Sequence, residues 1–124
     1  MSFYTVINCM DGRVQLPVIN YLIKRFQVQY VDSITEPGPI RILSEDNDKE
    51  TVASILKRLQ ISIERHNSKG VAIVGHYDCA GNPVAKDEQL KQLRKARSIL
   101  KQNFPDLEPL MLWVDKNWQV HQVT

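Results

Sequence analysis

Val71-Ala72-Ile73-Val74-Gly75-His76-Tyr77-Asp78-Cys79 decides the fold of this 124-residue chain. Its first four residues form an unbroken apolar run, rich in β-branched side chains. That is the pattern of a strand buried on both faces, as central strands of parallel sheets are. The run ends at Gly75-His76, and side chains able to bind a metal follow at once. A sheet buried on both faces needs helices on either side of it.

The flanking sequence supplies those helices. Upstream, Asn47 stands three residues before Glu50 in a capping-box spacing, and Val52, Ile55, Leu56, Leu59 and Ile63 form one apolar stripe, which predicts a helix. Before it, Glu36-Pro37-Gly38-Pro39 reads as a turn or loop following a strand over residues 28–34. Leu16, Ile19, Ile23 and Phe26 recur at helical spacing, with Pro17 tolerable in a first turn. Residues 3–8 read as the first strand, stopped at Cys9-Met10-Asp11-Gly12-Arg13, where glycine permits a sharp turn.

Downstream, a helix is predicted over residues 84–103, with Leu90, Leu93 and Leu100 on one face and Pro105 beyond its end. Residues 110–114 and 118–123 read as two antiparallel strands joined through Asp115-Lys116-Asn117. The alternation of strand and helix predicts a three-layer α/β/α domain with a mainly parallel sheet and a C-terminal antiparallel hairpin. The whole of residues 1–124 reads as one domain, without internal repeat or linker.

Composition narrows the function classes. At 43% hydrophobic and 24% charged residues the chain suits one packed core, and a domain of this length needs no disulfide staples. A formal net charge of +2 gives no concentrated basic surface for nucleic acid or membrane. The start, MSFYTVINCM, has no basic stretch leading into a long apolar segment, and no apolar run approaches the roughly 20 residues that span a bilayer. A cytoplasmic protein is the expectation. In a reducing compartment the two cysteines, Cys9 and Cys79, read as thiols or metal ligands rather than a disulfide.

In an open α/β sheet, ligands bind beyond the carboxyl ends of the strands. Cys9 and Asp11 follow the first strand, and His76 and Cys79 follow the strand that begins at Val71. If those strands are neighbours, all four side chains converge. Two thiolates and an imidazole match the preference of zinc, and catalytic zinc sites use three protein ligands with a fourth position open. Zinc there could generate hydroxide from water near neutral pH and direct it at an electrophile such as carbon dioxide. Taken one at a time, each of the three residues would equally suit a core position.

Cys9-Met10-Asp11-Gly12-Arg13 resembles the Cys-x-Asp-x-Arg motif of the β-class carbonic anhydrases. Gly75-His76-Tyr77-Asp78-Cys79-Ala80-Gly81 resembles their His-x-x-Cys segment, in the same order along the chain. The resemblance covers residues 5–83 and implies a zinc-dependent lyase that reversibly hydrates carbon dioxide to bicarbonate through zinc-bound hydroxide. It implies that Cys9, His76 and Cys79 hold Zn2+. Asp11 would either take the fourth zinc position or accept a hydrogen bond from zinc-bound water, while Arg13 holds its carboxylate. It further implies a homodimer with the pocket near the subunit boundary.

The chain departs from the family pattern in two places. It starts almost on its first strand, without the helical arm typical of the family. Thr35-Glu36-Pro37-Gly38-Pro39 stands where Arg-Asn-Ala-Gly-Asn is common, matching only at the glycine. This leaves room for a carbonic-anhydrase-like zinc hydrolase acting on another small electrophile, or for a noncatalytic zinc-binding or regulatory protein. His66 and His121 read as surface or packing residues, and Lys86, Lys91, Arg94, Lys95, Arg97 and Lys101 as a solvated helix face. Trp113 and Trp118 read as cross-strand packing or a subunit contact.

Overall fold

The strand β3 (Val71–His76) is buried at every position and lies at the middle of a five-stranded sheet, as its apolar run requires. The computed structural model describes residues 1–124. β1 (Phe3–Cys9) lies on one side of β3, with β2 (Tyr30–Glu36) beyond it, and β4 (Leu110–Val114) and β5 (Val120–Val123) lie on the other. Neighbours are parallel except for β4 and β5, which pair antiparallel from Met111↔Val123 to Val114↔Val120.

Alternation along the strands sends side chains to two separate cores. Tyr4 and Val6 of β1, Ala72 and Val74 of β3, and Leu112 and Val114 of β4 pack with α1 (Gln15–Phe26). Ile7, Val71 and Ile73 face the opposite layer, formed by α2 (Pro39–Glu45), α3 (Lys49–His66) and α4 (Lys86–Asn103). Full burial of a side chain such as Ile7, Leu59 or Ile73 contributes about 1.5–3 kcal/mol, so both layers are strongly held to the sheet. The three-layer architecture follows.

Several local expectations change. The α1 stripe that meets the sheet is Val14, Val18 and Leu22, whereas Leu16 and Ile23 are exposed. A single 3-10 turn over Gly12–Val14 precedes α1 and rotates its face relative to the sequence pattern. Pro37-Gly38-Pro39 is not a plain loop. Gly38 adopts a left-handed φ of 68° as the N-cap of α2, and Pro39 is its first helical residue. The cap of α3 is Asp48, not Asn47; its carboxylate accepts from Thr51 N at 3.2 Å and from Thr51 Oγ1 at 2.7 Å. Trp118 lies outside β5 with φ 60°, and Trp113 instead faces His121 across the hairpin.

Candidate metal centre

β1 and β3 pair only from Thr5↔Val71 to Ile7↔Ile73. Beyond that point β1 stays with β2 as far as Cys9↔Glu36, and β3 stays with β4 as far as His76↔Val114. The two central strands therefore part at their carboxyl ends, which is where open α/β sheets place ligands. Cys9 enters the gap from one side and His76 and Cys79 from the other. Their ligand atoms all lie within 4.8 Å of one another, and Cys9 Sγ is 3.8 Å from Cys79 Sγ. All three residues are buried.

The histidine is held ring-first. Nδ1–H donates to the Tyr77 carbonyl at 2.8 Å, which leaves Nε2 pointing into the gap. Nε2 is the one buried side-chain nitrogen or oxygen in the chain without a hydrogen-bond partner. Leaving such a group unsatisfied costs about 1–3 kcal/mol, a cost that coordination would remove. The donor set, two sulfurs and one imidazole nitrogen, fits zinc.

Electrostatics favour a thiolate here. The Cys79 thiol beside Cys9 pulls the Cys9 pKa well below the ordinary thiol value against the opposition of burial, helped by His76 and by the backbone N–H groups of Gly38 and Asp11. Cys79 moves up, because its proton is held by Cys9 and burial disfavours a second charge. Burial resists protonation of His76, but the Cys9 sulfur and the Tyr77 carbonyl outweigh it and the net shift is upward.

Asp11 lies at the rim, outside the group of three ligands. Arg13 Nη2 donates to its Oδ2 at 2.7 Å and Arg13 Nε to its Oδ1 at 3.1 Å, and this partner holds the Asp11 pKa at about 2 despite partial burial. Arg13 also donates to the Asp78 carbonyl at 3.0 Å, and its guanidinium sits 4.5 Å from the centre of the Trp118 ring. A planar, permanently charged group bonded along its edges and covered on one face by Trp118 is restricted in orientation. Gln15 Nε2 ties the loop to α1 through the carbonyls of Cys9 at 2.7 Å and Asp11 at 2.9 Å.

The loop after β2 forms the third wall. A Cβ on Gly81 would stand 2.6 Å from the Pro37 carbonyl carbon, and one on Gly38 2.9 Å from Asn82 Cβ. The two backbones touch there because neither carries a side chain. Asp78, Gln15, Asn82 and Gln89 escape a reading by sequence, and Trp118, read as cross-strand packing or a subunit contact, covers Arg13. Gln89 alone carries a signal, being a polar residue in the stripe Gln89, Leu93, Ala96 and Leu100 that α4 buries.

The remaining candidates lie elsewhere. His66 bonds Asp32 at 2.6 Å and stacks on Phe3, and His121 bonds Asp115 at 2.7 Å. Arg97 and Lys101 of the basic helix face both pair with Glu108. No helix is long and apolar enough to cross a membrane.

Comparison with known proteins places the fold among solved structures. The solved structures that resemble the chain include β-carbonic anhydrase isoform I from the protozoan Trichomonas vaginalis, at TM-score 0.63 and 14% identity, over 95% of this chain and 80% of that one. They also include a β-carbonic anhydrase of the fungal pathogen Aspergillus fumigatus, at TM-score 0.48 and 14% identity, over 96% of this chain and 74% of that one. No curated protein sequence matches. A family model described as "Putative carbonic anhydrase" matches residues 1–124, and with that match over its full length the chain belongs to this carbonic anhydrase family.

Proposed function

We propose that the protein binds zinc through Cys9, His76 and Cys79 and catalyses the reversible hydration of carbon dioxide to bicarbonate. The observation that carries this reading is His76 Nε2, buried, unpartnered and grouped with two sulfurs within 4.8 Å. When bound, zinc supplies the Lewis acidity that makes water a nucleophile near neutral pH. The chain's own residues supply the rest. Asp11, kept ionised by Arg13, is an acceptor only, and it orients an attacking water by accepting a hydrogen bond from it. Arg13, anchored by Asp78 and Trp118, prevents that carboxylate from swinging onto the metal. Both residues are positioning groups for water in this scheme, and Cys9, His76 and Cys79 are the ligands.

Exposed Met10, Leu16, Tyr77 and Val84 follow or precede the strand ends and helix starts that frame the site. An apolar rim of this kind suits a second copy of the chain, and a homodimer is part of the proposal. Light scattering coupled to size exclusion tests it by mass.

A second reading has its own support. The wall at residues 35–39 carries Glu36, whose carboxylate is committed to Arg58, and two prolines, so it offers the substrate little beyond backbone. A small electrophile other than carbon dioxide, hydrolysed by the same centre, is consistent with such a wall. Stopped-flow measurement of carbon dioxide hydration by zinc-loaded protein, with Cys79→Ala as control, separates the two. A zinc-dependent rate absent from the variant supports hydration; zinc bound without any rate favours the hydrolase.

A further inference from the structure

His76 stands at the point where β3 loses its neighbour. Tyr77 N–H bonds the Val114 carbonyl of β4, so by strand alternation the N–H and C=O of His76 face the β1 side. β1 has already turned away there, since its pairing with β3 ends at Ile7↔Ile73. A buried strand end with two open backbone groups would be free to twist, and each open group would cost stability. Gln89 closes the gap. Its Oε1 accepts from His76 N at 3.1 Å and its Nε2 donates to His76 O at 2.9 Å, with the side chain 2% exposed. The amide thus stands in for the missing strand. Gly75 makes room for it, because a Cβ there would lie 2.9 Å from Gln89 Oε1 and 3.0 Å from Ile40 Cδ1.

One turn further along α4 the device recurs. Gln92 and Asn82 exchange a reciprocal amide pair, Asn82 Nδ2 to Gln92 Oε1 at 2.6 Å and Gln92 Nε2 to Asn82 Oδ1 at 3.3 Å. Asn82 is buried, and its N–H bonds the Cys79 carbonyl at 3.2 Å. Gln89 and Gln92, three residues apart and so on one helix face, therefore grip the ligand segment at both ends. His76 opens that segment and Asn82 closes it.

We infer that Gln89 and Gln92 are positioning residues for the metal ligands: α4 sets the aim of His76 and Cys79 through these two amide clamps. The causal chain is short. Gln89 fixes the His76 peptide, the peptide fixes the direction of the Tyr77 carbonyl, and that carbonyl holds Nδ1 so that Nε2 faces the two sulfurs. The inference rests on the zinc reading above for its consequence, but the clamp itself is independent of any metal.

The test compares wild type, Gln89→Leu, Gln89→Glu, Gln92→Leu and Val52→Ala. The last trims the core on α3 and leaves α4 unaltered. Zinc affinity is measured by chelator competition, and the site is read from the absorption spectrum of the cobalt(II)-substituted protein. Gln89→Leu lowers zinc affinity by roughly 10- to 100-fold and changes the cobalt spectrum, as loss of a partner that orients a ligand does. Gln89→Glu keeps the acceptor for His76 N and loses the donor to His76 O, so it falls between; Gln92→Leu weakens binding as well, and Val52→Ala retains wild-type affinity. Wild-type affinity and an unchanged spectrum in Gln89→Leu overturn the inference. Should that variant not fold, Gln89→Glu and Gln92→Leu decide by the same criteria.

Should wild type take up no metal, the proposed function fails, and the clamp is judged by nitrogen NMR of the His76 ring at a pH where it is neutral. A single Nδ1–H tautomer in wild type that becomes a mixture in Gln89→Leu supports the clamp. An identical tautomer in both overturns it.

Discussion

Gly81 and Gly12 both border the metal centre and respond oppositely to the same substitution. A Cβ on Gly81 meets Pro37 backbone at 2.6 Å, which cannot rotate aside, whereas a Cβ on Gly12 meets nothing within 4 Å. Gly81→Ala therefore costs about 1–3 kcal/mol in urea denaturation, the range for overpacking. Gly12→Ala stays within about 0.5 kcal/mol. Tyr4 gives a second residue-scale test. Burial raises its pKa to about 12, above the ordinary value near 10 that it regains on unfolding, so its contribution is intact below about pH 10 and is lost as pH rises through about 12. Tyr4→Phe flattens that part of the alkaline stability profile, measured by thermal melts at successive pH values. The convergence of Cys9, His76 and Cys79 was legible because all three stand at strand ends, inside two motifs that resemble those of one family in the same order, although each taken alone would suit a core position. Gln89 was not, because an amide on a helix ordinarily faces solvent, and only the departure of β1 from β3 creates the open backbone it fills.

Among the elements, α3 begins where a single carboxylate fixes it. Thr51 donates to Asp48 from both its N–H and its hydroxyl and lowers the Asp48 pKa. A depressed folded value means that this capping stabilisation is present above the unfolded carboxylate pKa and disappears as pH falls through the folded one. Asp48→Ala accordingly lowers the melting temperature at neutral pH, and the difference from wild type closes in acid. A difference that persists unchanged in acid contradicts the assignment of the cap. The long elements were readable from sequence because α3 and β3 carry dense, regular apolar patterns. α2 was not, since seven residues hold too few turns to show a period and Pro-Gly-Pro reads as a break. Only its packing on α4 and the sheet makes Pro39 a helix start rather than a turn. The buried face of α1 was not legible for a related reason: its pattern offers two stripes, and the sheet takes the one containing Val18 and Leu22.

At the scale of the whole molecule, zinc held as proposed by Cys9, His76 and Cys79 would link β1 to the segment after β3, and folding stability would then depend on free metal. Zinc at 100 times its dissociation constant adds about 2.7 kcal/mol, read as a rise in melting temperature that a chelator reverses and that Cys9→Ser abolishes. The parallel pairing of β1 to β4 could be anticipated from alternation, because a parallel neighbour needs the helical crossover that the sequence displays, whereas the order β2-β1-β3-β4 comes from the structure. The splay of β1 from β3 has a further consequence in time. Cys9 and Cys79 are separated by 70 residues of chain, and they meet only after that long loop has closed and the two central strands have paired. The expected outcome is that the centre assembles late, after the rate-limiting barrier to folding. Metal leaves the refolding rate unchanged and slows unfolding, so that in denaturant jumps only the unfolding arm shifts on addition of zinc. On that outcome a bound ion would latch a finished structure and take no part in its nucleation.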